Sequence, residues 1–277
     1  MKRLVLLFFA ASIVNMYSGC NKTQENNDPG RLVINVTDAP FPINIIESAS
    51  VTITKVEIRK DGDGISDGSP FITLWEGSET FNLFDLRNGL KEELLDIEIP
   101  AGEYNLIRLY VDAAGLKIKD GGNFNVKVPS GKQTGIKVFI NPGLIVEGGL
   151  TSELLLDFDL SRSFVMKGNM YTPAGIKGFN FKPVIRAVNN STAGRVEGMV
   201  TDTAKVKIKE ASVWVKQDTV VASTIADTLG HYAIIGIPAG TYSVFAAKEN
   251  YDTVMVEGVK IVAGNRTILD FILREKK

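Results

Sequence analysis

Two stretches far apart in the chain carry the same phrase. Ile99 to Leu106 reads I-P-A-G-E-Y-N-L, and Ile237 to Val244 reads I-P-A-G-T-Y-S-V. In each, an apolar run stops at a proline, Ala-Gly makes the turn, and a tyrosine opens the next apolar run. Proline presets φ and glycine tolerates positive φ, so the phrase specifies a tight change of direction between strands. Its recurrence predicts two β-domains that each turn a corner with the same residues.

The rest of the chain agrees with an all-β reading. Leu32 to Val36 and Val51 to Ile58 are apolar runs of strand length. Within the second, Val51 and Ile53 share one parity while Val56 and Ile58 share the other, so a β-bulge is predicted near Thr54-Lys55. Phe124, Val126 and Val128 alternate with polar residues, and Leu154, Leu156, Phe158 and Leu160 alternate against Asp157 and Asp159. Period two means one buried and one wet face. Only Leu86 to Leu95 leaves room for a helical turn or two. The predicted class is two tandem antiparallel β-sandwiches.

The chain has 277 residues, enough for one large or two modest domains. Asn189 to Gly194 is a run of small and polar residues and marks a boundary, giving domains over 31–189 and 195–277 joined by a linker at 190–194. Formal net charge is −1, and removing a leader that carries Lys2 and Arg3 makes it more negative by two. That balance lacks the basic footprint of a nucleic-acid binder, so no nucleic-acid partner is expected. Cys20 is the single cysteine, which excludes an internal disulfide.

Met1-Lys2-Arg3 followed by the apolar run Leu4 to Val14 has the form of a signal peptide and is too short to span a bilayer. Ser18-Gly19 precede Cys20. The segment 1–20 resembles a bacterial lipoprotein signal, which implies lipidation of Cys20 and anchoring to the membrane of a cell envelope, at the outer membrane; Tyr17 departs from the usual small or aliphatic residue. A plain secretory signal is the alternative. Asn21 to Gly30 is polar and aperiodic and reads as a flexible tether.

Several phrases of the first domain, among them L-V-I-N-V-T-D-A-P at Leu32 to Pro40, the Ile99 to Asp112 run, V-P-S-G-K-Q-T-G-I-K-V at Val128 to Val138 and K-P-V-I-R-A-V at Lys182 to Val188, resemble an uncharacterised domain-of-unknown-function family found in Gram-negative envelope lipoproteins. The resemblance implies an extracytoplasmic β-sandwich and no activity. The second domain, with R-V-E-G-M-V-T at Arg195 to Thr201, D-T-L-G-H-Y-A-I-I at Asp227 to Ile235 and the corner phrase after it, resembles the carboxypeptidase regulatory-like domain. That resemblance implies a small transthyretin (prealbumin)-like sandwich, a noncatalytic accessory module.

Candidate chemistry is sparse. His231 is the only imidazole, so a histidine-dependent triad would have to use it; a half-exposed strand histidine is the simpler reading. No conventional zinc site is expected. Asp61, Asp63 and Asp67, spaced by glycines, are candidate calcium ligands, although Ile65 breaks the EF-hand order; the alternative is a hairpin loop, and no other cofactor is expected. Asp157 and Asp159 lie two apart on one strand and read as a solvated face rather than a hydrolytic pair. No phosphate-cradling glycine loop stands between a strand and a helix. Four Asp-Thr-apolar triplets place Thr203, Thr219, Thr228 and Thr253 as candidate O-glycosylation sites, against a reading as plain turn residues. Trp75 and Trp214 are candidate glycan-stacking residues, Trp214 alternating with Val213 and Val215, against a reading of each as core or half-core.

These readings lead to a non-enzymatic, lipid-anchored envelope protein that binds or builds, with a glycan or an envelope protein as its partner. A subunit of a fibre or pilus-like assembly is the alternative, and a glycan-active enzyme is the remote one.

Overall fold

The computed structural model describes residues 28–39, 46–61, 70–119, 121–126, 128, 133–168 and 175–276. Cys20, Asp63 and Asp67 lie outside them.

The first sandwich contains β1 (Gly30–Ala39), β2 (Ile46–Lys60), β3 (Ile72–Asn82), β4 (Glu92–Ile99), β5 (Gly102–Ile118), β6 (Asn123–Val126), β7 (Ile136–Val146), β8 (Thr151–Asp159), β9 (Phe164–Gly168), β10 (Ile176–Phe181) and β11 (Ile185–Asn189), with a single helical turn, α1 (Leu160–Ser163), between β8 and β9. The strands run β3-β2-β5-β7-β11-β8-β1-β4, with β6 on β5 and β9-β10 as a separate ribbon. Only the pair Ala187 and Ile140 joins β11 to β7. At that narrow link the sheet folds into two layers, β3-β2-β5-β7 and β11-β8-β1-β4. Their inner faces share one core, in which Leu32, Ile34 and Val36 of β1 meet Val51, Ile53 and Val56 of β2. Most pairings are antiparallel; β1 with β8 and β7 with β11 are parallel.

The predicted bulge is present. The register of β2 slips between Ile53 and Lys55 against both β3 and β5. The extra residue lets Val51, Ile53, Val56 and Ile58 all face inward despite their change of parity. The helical expectation for Leu86 to Leu95 is corrected: the turn of 3-10 helix lies at Leu83–Asp85, and Glu92 onward is strand β4. Apolar Leu94, Leu95, Ile97 and Ile99 mix two parities, and a bulge at Leu94 of β4, opposite Ile34 and Asn35 of β1, accommodates them by pairing rather than by helical turns.

The second sandwich contains β12 (Ala193–Asp202), β13 (Ser212–Lys216), β14 (Val220–Ile225), β15 (His231–Pro238), β16 (Gly240–Ala247), β17 (Val254–Ile261), β18 (Arg266–Ile268) and β19 (Phe271–Leu273). One sheet runs β15-β12-β18 with β19 also on β12, the other β14-β13-β16-β17. Its core is separate and gathers Val196, Val213, Tyr232, Val244 and Phe271. Among the described residues no helix is long and apolar enough to cross a membrane.

The recurring phrase does the same physical work twice. It carries the chain from β4 in one layer to β5 in the other, and from β15 in one sheet to β16 in the other. Tyr104 donates its hydroxyl hydrogen to the Pro100 carbonyl (2.7 Å), and Tyr242 donates to the Pro238 carbonyl (2.8 Å). Each ring is buried and each hydroxyl closes the corner four residues back, the arrangement known as a tyrosine corner. Burial pushes both phenols above their usual range. Tyr104→Phe and Tyr242→Phe should each lower stability by about 1–2 kcal/mol, read from urea midpoints, because each leaves a proline carbonyl without its donor. An unchanged midpoint in both variants would show that ring packing alone makes the corner.

Candidate functional site

Alternation along β8 makes Leu155, Asp157 and Asp159 its outward residues. Yet Leu155 is 0% exposed and Val188, its partner on β11, 2%, and neither belongs to either core. The expectation of a solvated face for Asp157 is therefore corrected: it is buried because the second sandwich covers this side of the β11-β8-β1 layer.

The seam is built from backbone as much as from side chains. Gly236 of β15 has φ +65, and a Cβ there would lie 2.6 Å from Cδ2 of Leu155. Only glycine permits both the left-handed backbone and the close approach. Arg186 of β11 then bridges: its Nη2 and Nε donate to Oδ2 of Asp157 (2.7 and 3.2 Å), and its Nη1 donates to the Gly236 carbonyl (2.7 Å). On the other flank Asn88 and Gly89 both take left-handed backbone, with φ +58 and +80. Asn88 accepts from the Ala233 amide (2.6 Å) and donates to the His231 carbonyl (3.3 Å). Asparagine tolerates that backbone and its amide supplies a donor and an acceptor at once.

Asp38 stands at the centre of this seam. It is 5% exposed; Oδ1 accepts from the Leu160 amide (3.3 Å), while Oδ2 has no partner among the described residues. A void of about 10 Å³ is lined by Asp38, Asp157 and Thr224, whose hydroxyl is also buried and unpartnered. That is room for about one water. Burial raises the Asp38 carboxyl well above the usual range, and Asp157 and Asp159 push the same way, against the Leu160 amide and Arg87.

Other expected site residues scatter. Asp61 is exposed at the end of β2, which pairs with β3 as a hairpin; its partners Asp63 and Asp67 fall outside the described residues. Among the described residues no three His, Cys, Asp or Glu side chains converge to hold a metal. His231 is exposed, and its backbone is held by Asp227 Oδ1. Thr203, Thr219, Thr228 and Thr253 are all exposed. The carboxylates of Asp202 and Asp227 each accept amides two and four residues on, so two of the four triplets are turn anchors as well. On the outer face of the first sheet Glu57 collects Lys55, Arg108 and Tyr110. Burial works to raise its carboxyl, and hydrogen bonds from Lys55 and Tyr110 outweigh it, leaving it below the usual range.

The two tryptophans part company. Trp75 is half-buried, packs on the first core and lies across Gly77. Trp214 stands on the outer face of β13, opposite Phe245 of β16 and Ser223 of β14. Its ring stacks on Phe245 with centroids 5.2 Å apart and an interplanar angle of 2°. Trp214 also walls a groove of about 240 Å³ with Ser212, Ser223 and Ile225, to which the first sandwich contributes Ser161 of α1. A second cleft, of about 570 Å³, continues past Ile225 to Phe84, Arg87 and Leu90 of the first sandwich and Glu210, Asp227 and Thr228 of the second. Sequence reasoning singled out Trp214 by its alternation with Val213 and Val215, but it missed Arg87, which has no periodic or motif signal.

A family model described as "Domain of unknown function (DUF4382)" matches residues 29–183, and one described as "Carboxypeptidase regulatory-like domain" matches residues 195–274. No curated protein matches. Among solved structures, a type II cohesin–X-dockerin complex from Acetivibrio cellulolyticus is 22% identical over 29% of this chain and 56% of its own, with a TM-score of 0.24. This chain thus spans just over half the length of that structure's chain. The shaft pilin SpaA from Lactobacillus rhamnosus GG is 10% identical over 90% of this chain and 98% of its own (TM-score 0.26), and BcpA, the major pilin subunit of Bacillus cereus, 14% over 90% and 71% (TM-score 0.25). At those TM-scores the likeness decides nothing about this chain.

Two variants probe the seam. Gly236→Ala should cost about 1–3 kcal/mol in thermal unfolding, from left-handed strain and the Leu155 contact together; an unchanged melting temperature would mean that the sandwiches are not docked there. Because the folded Asp38 value is raised, the fold favours the protonated form, so stability is full below the ordinary carboxylate range of about 4 and falls as pH rises through the raised value. Asp38→Asn should flatten that fall in melting temperature; the same slope in both proteins would exclude Asp38 as its source.

Proposed function

Since this chain belongs to the family described as "Domain of unknown function (DUF4382)", whose model matches more than half of it, we propose that it is a non-enzymatic, lipid-anchored binding module of the cell envelope that captures glycan. Cys20 supplies the anchor and 21–30 the tether. The observation that supports binding is the groove walled by Trp214. An aromatic ring beside Ser161, Ser212 and Ser223 matches a sugar, which offers C–H faces to a ring and hydroxyls to serines. Ser161 comes from one sandwich and Trp214 from the other, so the groove exists only while the seam holds. The acids that a hydrolase would use are engaged otherwise: Asp157 by Arg186, and Asp159 by Arg162 and the α1 turn. A fibre subunit is the second reading, and the regulatory-like sandwich, an accessory module, is what favours it.

Two measurements test the proposal. In a Gram-negative host, full-length protein should take up an alkyne-tagged fatty acid and fractionate with membranes, and Cys20→Ser should lose both; label retained by the variant would sink the anchor. On a glycan array, full-length protein in detergent should bind a defined set, and Trp214→Ala should weaken it roughly tenfold. No binding to any glycan would move the assignment to the fibre reading.

A further inference from the structure

Arg87 is a half-buried cation that pairs with no anion among the described residues. Its guanidinium sits over the Phe84 ring, with Cζ 3.6 Å from the centroid. A cation–π contact does not use up the N–H donors. Among the described residues it makes no salt bridge and no side-chain hydrogen bond. Of the acids nearest to it, Asp85 receives Asn82 (2.6 Å) and Glu210 pairs with Lys248 (3.5 Å), while Asp38 receives the Leu160 amide on Oδ1, keeps Oδ2 unpartnered among the described residues, and is held by burial toward its protonated form. The third acid lining the cleft, Asp227, caps its own turn. Burial holds the Arg87 guanidinium below its usual range against the attraction of Asp38, Asp85 and Glu210. A half-buried guanidinium whose unpaired donors still reach solvent is open to a carboxylate, because the planar fork matches its two oxygens.

The loop that carries Arg87 is already ordered. The Leu86 carbonyl accepts from the Asp38 amide (3.1 Å), the Thr37 hydroxyl lies 2.7 Å from the Leu90 carbonyl, and Asn88 is tied to β15. Preorganised donors bind without a further ordering cost. Arg87 also faces the 570 Å³ cleft beside exposed Leu90 and the exposed hydroxyl of Thr228. Ile225 lines this cleft and the Trp214 groove alike. On the outer face of β14, Ser223 sits opposite Trp214, and Ile225 follows it by two residues, about 7 Å along the strand.

We propose that the two clefts form one track along β14 for an acidic oligosaccharide, with a sugar ring on Trp214 and the carboxylate of a uronic acid residue held by Arg87. The proposal rests on the glycan reading and adds the charge of the ligand. Neutral chains of the same size would occupy the Trp214 end and leave the guanidinium unpaired.

Isothermal titration of full-length protein in detergent against an oligogalacturonate and its neutral methyl ester tests it. The acid form should bind about tenfold or more tightly than the ester. Arg87→Gln should erase that preference while keeping the ester affinity, which also shows that the variant is folded; Arg87→Lys should restore part of it. Equal affinity for acid and ester, or an acid preference that survives in Arg87→Gln, would overturn the proposal and leave glycan capture standing. Binding of neither would overturn the acidic-oligosaccharide proposal, and the glycan array then decides glycan capture by itself.

Discussion

The arrangement of this protein depends on one close approach, that of the Gly236 backbone to Leu155. Because no side chain intervenes, the sandwiches meet without a spacer, and Arg186 reaches from the Asp157 carboxylate to the Gly236 carbonyl. Leu155 and Val188, which would otherwise be an apolar pair on the outside of a sheet, become buried. The Trp214 groove, the Arg87 cleft and the void beside Asp38 all sit along this contact. A seam of hydrogen-bonded backbone and one half-buried ion pair holds geometry better than it adds stability, since partial desolvation offsets part of the Coulombic gain.

The two tyrosine corners solve a different problem. A sandwich needs the chain to leave one layer and enter the other without an unpaired backbone carbonyl at the bend. Tyr104 and Tyr242 meet that need with a buried hydroxyl at the same spacing. Each domain thus secures its own core independently, and the seam is added to two bodies already closed.

Much of the fold was legible in the residues. The corner phrase, the change of parity at Thr54-Lys55 and the strand alternation each became a corner, a bulge and a strand. The errors came where a pattern has two solutions. Leu86 to Leu95 mixes parities, which fits helical turns or a bulged strand, and only pairing with β1 chose between them. Asp157 sits on the polar parity of β8, and alternation has no means of showing that a second domain lies over that parity. Of the site, Trp214 was visible as the large residue of the outward parity on β13. Arg87 was not, because its environment is assembled from Phe84 three residues away and a cleft wall contributed more than a hundred residues later.

The amino-acid sequence by itself determined what is local: strands and their buried faces, the bulge, the corners, and the boundary between two β-rich parts. These follow from short-range stereochemistry and from a side-chain period of two, which a linear chain displays directly. Tertiary structure alone decided which outward face is covered, which charge goes unpaired and which side chains share a cleft. Those properties depend on the relative placement of two separately closed bodies, and that placement is carried by a glycine's missing Cβ and by backbone carbonyls, which have no signature in the order of the residues.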